Sequence, residues 1–307
     1  MPAGNYTIIG LGELLWDIFP QGKQLGGAPA NFAYITSLLG DHGIVASRLG
    51  ADDLGEEATR RLQHLRLPTD FLQVDSRYPT GTVNVRVDQQ GQPRYEITEH
   101  VAWDFLELTR EWRALAGQAS AICFGTLAQL SPASRRVISE FLKAARASAI
   151  RVFDVNLRQK YFSADIVLDS AKRANIIKLN HEELPRVLEL FNAPLNVKET
   201  SDARLRVDWL LGKSGADLIC VTRGESGSLL LSRDGCHQHA GLPVKVADTV
   251  GAGDAFTAAL VHHYLRRASL ETMNEAANQM GAWVAGQVGA TPEPDSAILE
   301  KVRSPEP

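Results

Sequence analysis

The chain is predicted to adopt an α/β fold: a mostly parallel, twisted sheet covered by helices on both faces, with a small β lid. Two patterns carry this prediction. Apolar runs of strand length alternate along the chain with longer stretches of helical periodicity, the order expected of parallel strands joined by crossover helices. Residues 82–87 and 94–98 break that order with an apolar–polar alternation around the turn signal Asp88-Gln89-Gln90-Gly91, which reads as an antiparallel hairpin. The length of 307 residues and the 44% apolar content suit one domain, residues 1–307, whose core needs no disulfide or metal staple.

Residues 6–11 (YTIIGL) form the first buried strand, punctuated by Gly10 and Gly12. A helix opens after Gly26-Gly27, covers residues 28–39 and stops at Gly40. Residues 44–49 are strand-like, and residues 53–65 are helical, with Leu54, Ala58, Leu62 and Leu65 on one face. Beyond the hairpin, residues 121–125 are a strand and residues 132–147 a helix with Ser131 as N-cap. Strands at 151–155 and 175–179 precede helices at 181–191 and 202–211. Strands at 218–222 and 228–231 follow, and helices at 253–267 and 270–287 close the chain. The tail, 291–307, holds four prolines and is expected to fray. A half-buried hairpin needs something to cover, and the lid is assigned to about residues 14–25 and 81–104.

Charge and cysteine usage exclude several classes. A net charge of -4 and a pI near 6.1 give no electrostatic reason to bind nucleic acid or an anionic membrane. Cys123, Cys220 and Cys236 form no CxxC and no even framework, so a reduced, cytoplasmic setting is expected. The N-terminal apolar stretch has no basic flank and contains Glu13 and Asp17, unlike a signal peptide. No apolar run is long enough to span a membrane. The sequon Asn5-Tyr6-Thr7 is a chance occurrence in such a setting.

The chemistry concentrates at Asp248-Thr249-Val250-Gly251-Ala252-Gly253-Asp254, directly before the apolar helix AFTAALVHHYL. Two glycines permit a tight turn that bares backbone N–H groups, and the helix N-terminus adds a partial positive charge. Together they make a nest for a phosphate. Asp254, in the first helical turn, is placed to reach a hydroxyl beside that nest. A lone Gly-x-Gly would be read as an ordinary glycine turn with an N-terminal helix charge; seven residues of this pattern outweigh that reading.

DTVGAGD resembles the C-terminal signature of the PfkB, or ribokinase-like, carbohydrate kinases. Other landmarks of that family occur in order. Gly26-Gly27-Ala28-Pro29-Ala30-Asn31, followed by Gly40 and Gly50, is similar to the N-terminal signature. Asn180-His181-Glu182-Glu183 matches NxxE, and Thr222-Arg223-Gly224-Glu225-Ser226-Gly227 matches the nucleotide-loop strand. Asn278, eleven residues before Gly289, matches the adenine-side position. The resemblance covers roughly residues 6–291. It implies a ribokinase-like three-layer α/β/α sandwich with a β lid, and ATP-dependent phosphorylation of a small-molecule hydroxyl. Thr80-Gly81-Thr82-Val83, Ala102-Trp103-Asp104 and Asp154-Val155-Asn156-Leu157-Arg158 are most similar to bacterial fructokinases, which implies conversion of fructose to fructose 6-phosphate. Ketodeoxygluconate kinases share the DxNxR element, so that acceptor, or another ribose-like compound, stands as the alternative.

The residue roles implied by the resemblance agree with elementary chemistry. Asp254 is the base, over the Gly251, Ala252 and Gly253 amides. Asp17, Gly26, Gly27 and Asn31 hold the sugar, a carboxylate being a pure acceptor for hydroxyls. Arg158 offers a fork of donors to the moving phosphoryl group, as against an ordinary surface salt bridge. Asn180, Thr222, Gly224, Gly227 and Asn278 line the nucleotide site. Glu183 meets Mg²⁺ through water, as suits an ion that keeps several waters. Asp248 is the candidate for a monovalent cation, potassium. The partners are a sugar and ATP, with a homodimer through the lid as the expected assembly.

Other motifs fail on spacing. Gly10-Leu11-Gly12-Glu13-Leu14-Leu15 imitates a dinucleotide fingerprint, but Leu15 replaces the third glycine and Glu13 would oppose a pyrophosphate, which weighs against an NAD-dependent oxidoreductase. Gly212-Lys213-Ser214 is similar to the end of a Walker A loop, but Val207 stands where its first glycine belongs. Cys236-His237-Gln238-His239 lacks a second pair for zinc and reads as a surface cluster at a strand end. His262 and His263 are neighbours on a helix and point apart. A sugar sensor without catalysis would not need the intact turn and Asp254.

Overall fold

The computed structural model describes residues 5–87, 93–159 and 161–304. In chain order the elements are β1 (Thr7–Leu11), β2 (Leu15–Phe19), β3 (Gly22–Gly26), α1 (Ala28–Leu38), β4 (His42–Gly50), α2 (Asp53–His64), β5 (Leu72–Asp75), β6 (Gly81–Val87) and β7 (Pro93–Ile97). A 3-10 turn (Ala102–Phe105) leads to α3 (Arg110–Gln118), β8 (Ala121–Phe124), α4 (Pro132–Ala144), β9 (Ile150–Asp154), α5 (Ala164–Arg173), β10 (Ile176–Asn180), α6 (Glu183–Leu190) and α7 (Leu195–Lys198). The chain ends with α8 (Ala203–Ser214), β11 (Leu218–Thr222), β12 (Ser228–Ser232), β13 (Cys236–His239), α9 (Ala252–Leu265), α10 (Leu270–Ala285) and α11 (Ser296–Arg303).

The main sheet runs β13-β12-β11-β10-β9-β8-β1-β4-β5. Its strands from β5 to β11 are parallel, and β12 and β13 are added antiparallel. Successive side chains on a strand face opposite ways, so each buried strand serves two cores. Ile9, Ile122, Phe153, Ile177 and Ile219 pack with α3, α4, α5, α6 and α8 on one face. Ile8, Cys123, Val152, Ile176 and Cys220 pack with α1, α2, α9, α10 and α11 on the other. This is the expected three-layer α/β/α sandwich. The chain leaves β1 towards β4 on one side and returns to β8 on the other, so strand order reverses beside β1. Crevices outside the carboxyl ends of parallel strands at such a reversal are where ligands bind.

A second sheet, β3-β2-β6-β7, is built from the segments expected to be the lid. Its β6–β7 hairpin is the predicted one, and the turn expected at residues 88–91 lies outside the described residues. The indole Nε1 of Trp16 donates to the Leu54 carbonyl at 2.9 Å and Lys23 pairs with Glu57 at 2.6 Å, docking the lid on α2.

Both ends of the chain grip the far end of α9. Asp41 accepts from the Tyr6 amide at 3.1 Å, from His262 Nδ1 at 2.7 Å and from Arg266 Nη2 at 2.8 Å. The Tyr6 hydroxyl donates to the Leu265 carbonyl, and His263 Nε2 donates to the Val302 carbonyl.

Several expectations are corrected. The tail does not simply fray: Asp295 caps α11 by accepting from the amides of Ala297 and Ile298, and Leu299 and Val302 are buried. Ser131 sits at the N-cap of α4, but its hydroxyl donates to the Asp104 carbonyl and caps nothing. Residues 236–239 are a full strand, β13, with His237 against Asn274 and His239 paired with Glu275 at 2.8 Å. Helices α3 and α5 and strand β5 were not foreseen.

Candidate active site

The site forms where β1, β8 and β9 end, under the lid and at the start of α9. Gly251 occupies the left-handed region at φ 77, which turns the chain sharply into the helix. The Ala252 amide bends back to the Thr249 carbonyl at 3.3 Å, and the Ala255 amide reaches the Gly251 carbonyl at 2.8 Å. Between them, the amides of Gly253 and Asp254 have no protein acceptor among the described residues. These are the unpaired donors of a helix N-terminus, with the helix dipole behind them.

Asp254 is half-buried and fixed from across the site: Asn31 Nδ2, in the second turn of α1, donates to its Oδ2 at 2.8 Å. Asn31 therefore reaches across to α9 and is not a helix cap. Burial, with the Asp154 carboxylate adding to it, raises the Asp254 pKa to about 6; Asn31, Lys178 and Arg158 pull the other way.

Below the turn lies a buried ion pair that sequence reasoning missed. Lys178, on β10, places its Nζ 3.1 Å from Asp154 Oδ1. The Thr257 hydroxyl donates to Asp154 Oδ2 at 3.0 Å and is also 2.9 Å from the Gly253 carbonyl, tying α9 to β9. A Cβ on Gly253 would lie 3.0 Å from the Lys178 ammonium, so a full positive charge underlies the turn. Burial opposes that charge, but Asp154, Glu183 and Asp254 outweigh it and raise the lysine above its ordinary range.

On the acceptor side, Asp17 Oδ2 lies hard against Gly26, where any Cβ would collide with it. That close approach explains the glycine at position 26, just ahead of α1. Gly27, at φ 113, is the N-cap of α1, with the Glu13 carbonyl against it. Burial raises Asp17 to about 6, with Arg158 lowering it and Asp248 raising it. Arg158 itself is exposed, on the loop after β9. The neighbouring Leu157 amide is anchored at 2.7 Å by Glu183 Oε1, whose other oxygen accepts from the Asn180 amide at 2.8 Å. Asn180 Oδ1 in turn accepts from the Glu182 and Glu183 amides. The Asn180–Glu183 motif is thus a closed box that positions the Arg158 loop. Glu183 is 7% exposed and both oxygens already hold an amide, which fits contact with a hydrated metal and not direct capture. Among the described residues no three His, Cys, Asp or Glu side chains gather as a metal site.

Four of the five nucleotide candidates line one cleft of about 1130 Å³ that runs from Asn278, past Thr222, Gly224 and Gly227, to Ala252 and Gly253; the fifth, Asn180, is not in that lining and is tied to Glu182 and Glu183 instead. Asn278 is buried, its Nδ2 donating to Ser228 Oγ at 2.7 Å and to the Asn274 carbonyl at 2.7 Å. Asp248 clips the turn shut: Oδ1 accepts from the Val250 amide at 3.0 Å and Oδ2 from the Gly289 amide at 3.1 Å.

A model of the pfkB family of carbohydrate kinases matches residues 12–296. The chain belongs to that family. It is a phosphotransferase with an alcohol group as acceptor. A putative sugar kinase of Pyrococcus horikoshii is 29% identical over 315 residues, covering 96% of this chain and 95% of the relative. The fructokinase of Salmonella typhimurium is 28% identical over 269 residues, 84% of each chain. Among solved structures, a fructokinase with bound ATP from Xylella fastidiosa superposes with a TM-score of 0.84 at 22% identity, covering 97% of this chain and 98% of that one, which shows the shared fold.

Within this pfkB kinase, the candidates separate into two groups. Asn31 is hydrogen-bonded to Asp254, Arg158 lies near enough to act on the charge of both Asp254 and Asp17, and Thr222, Gly224, Gly227 and Asn278 share the cleft. The turn from Gly251 to Gly253 belongs to both. Sequence reasoning missed Asp154, Lys178 and Thr257 as partners of that turn. The one available signal was a charged residue inside each of two apolar strands, RVFDV and NIIKL.

Proposed function

We propose that this kinase uses Mg·ATP to phosphorylate fructose at its 6-hydroxyl. The observation that carries the reading is the Asp254 carboxylate, restrained by Asn31, beside two unpaired amides where the cleft meets the acceptor side. ATP lies along the cleft with its adenine near Asn278 and Gly224, and its γ-phosphate over the Gly253 and Asp254 amides. Asp17, Gly27 and Asn31 hold the sugar. Asp254 accepts the hydroxyl proton as that oxygen bonds to the γ-phosphorus; the bond to the bridging oxygen breaks and ADP leaves. Arg158 and the Lys178 charge below the turn neutralise the moving phosphoryl group. Lid closure keeps water, a competing nucleophile, away.

Mg²⁺, when bound, supplies neutralisation of phosphate charge; Glu183 would meet it through water. Asp248, at the edge of the turn, is the residue we assign to a potassium site. We also expect two copies to associate through the lid, whose edge strands are β3 and β7, which sedimentation would check.

A coupled ADP-release assay over fructose, other hexoses, ribose, nucleosides and 2-keto-3-deoxygluconate tests the reading. Fructose should give the highest kcat/KM. A higher value for another acceptor replaces fructose, and no ADP release with any of them overturns the kinase assignment for this site.

A further inference from the structure

Outside the nucleotide cleft, a second cavity of about 280 Å³ opens between α4 and α5. It shares no lining residue with the cleft. Its charged lining is three guanidinium groups, Arg135, Arg136 and Arg173, against one carboxylate, Asp169, in a chain whose net charge is -4. Asp169 is taken by Arg135, at 2.7 Å. Among the described residues, Arg136 and Arg173 have no ion pair. The first turn of α4 holds no acid, and Arg135 and Arg136 follow in its second turn, so the helix dipole adds to their charge. Two buried polar residues also line the cavity. Gln129, 5% exposed, donates through Nε2 to Ser170 Oγ at 2.9 Å and to the Gly125 carbonyl at 2.7 Å. Phe124, Ile138 and Leu142, all buried, supply an apolar wall.

We propose that this cavity binds a small phosphate monoester, with the phosphate held by Arg136 and Arg173 and the carbon skeleton against the apolar wall. A phosphate monoester is close to a dianion at neutral pH and presents three strong acceptor oxygens. Two guanidinium groups with no acid of their own match that charge, and each offers a planar fork of donors to such oxygens. The volume lies at the lower limit of ordinary ligand sites, about 300 Å³, which suits an ester of triose to hexose size and not a nucleotide. The wall formed by Phe124, Ile138 and Leu142 favours an ester over free phosphate, because covering the ester's carbon atoms adds to its affinity. The site is separate from the transfer chemistry and does not depend on which acceptor the kinase uses.

The test is calorimetric titration of the full-length protein with glycerol 3-phosphate, glycerol and inorganic phosphate, with ADP present to fill the phosphate nest before α9. Glycerol 3-phosphate should bind, glycerol should not, and inorganic phosphate should bind about tenfold more weakly than the ester. Arg136→Gln and Arg173→Gln should each weaken binding of glycerol 3-phosphate by about tenfold, at an unchanged melting temperature, since both side chains are exposed. No binding of the ester to wild type overturns the proposal. Equal binding to wild type and to the protein carrying both substitutions overturns it too, by placing the ligand elsewhere. Equal affinities for inorganic phosphate and glycerol 3-phosphate overturn the assignment to an ester.

Discussion

The two halves of the site are built on different principles. The proposed acceptor half is made of polar and charged side chains drawn from remote parts of the chain: Asp17 and Asp254 are half-buried, Asp254 is held by Asn31, and Arg158 is exposed on the loop after β9. The nucleotide half is made of backbone and small residues around an open cleft, with Asn278 held inside its own amide network. Changes on the acceptor side should therefore act on the chemical step, and changes in the cleft on nucleotide affinity. The Lys178–Asp154 pair beneath the turn belongs to neither half and supports both.

The contrast can be broken at Asp254. Asp254→Asn should lower kcat by about 10²–10⁴ while leaving sugar binding close to wild type, measured by ADP release and by calorimetry. Near-normal turnover would remove Asp254 from the mechanism. Removing the support comes next. Lys178→Met leaves Asp154 buried and uncompensated, at a cost of about 3–5 kcal/mol in chemical denaturation, and adding Asp154→Asn should recover part of it. If the single variant is as stable as wild type, the pair does not hold the turn.

Protonation gives a sharper test, because activity and stability should move in opposite directions. Asp254 must be ionised to take a proton, so kcat/KM should fall as pH drops below about 6. Glu13 titrates in the folded protein at about 7 against an ordinary 4.5, so the folded state binds the proton more tightly than the unfolded one. Its contribution to stability is present at low pH and is lost as pH rises towards 7. Glu13→Gln should thus gain up to about 3 kcal/mol relative to wild type at pH 8 and little at pH 4, read from paired urea titrations. The smallest effect is expected in the cleft. Asn278→Ala should raise the KM for ATP by about tenfold with kcat nearly unchanged. A kcat loss instead would mean that the two halves are coupled through α10.

Much of this was legible in the sequence, for a physical reason. Buried parallel strands are continuous apolar runs, so YTIIGL, AICF and LICV declare themselves. The turn before α9 is a contiguous motif and needs no long-range information. The missed elements lack such signals. Strand β5 (LQVD) is a short edge strand with Val74 mostly exposed, and β13 (CHQH) has almost no apolar character. Helix α11 hides between prolines and is made by the Asp295 cap and two buried residues. Helix α5 was recoverable: Ser163 caps it, and Ile166, Val167, Ser170 and Ala171 mark one face. The site was legible in its parts and not in its assembly. Glu13 stood out only as a poor neighbour for a pyrophosphate, and nothing local tells that Asp154, Lys178 and Thr257 meet beneath Gly253. Such meetings are set by strand order, which only the folded sheet supplies.

The grip of both chain ends on α9 carries a practical message. The helix that carries Asp254 in its first turn is held at its other extremity by Tyr6, through Asp41, and by Val302. Trimming that removes Tyr6 or Val302 would therefore take away contacts at the distal end of the helix that presents Asp254, so truncated preparations should be checked for stability before their kinetics are compared.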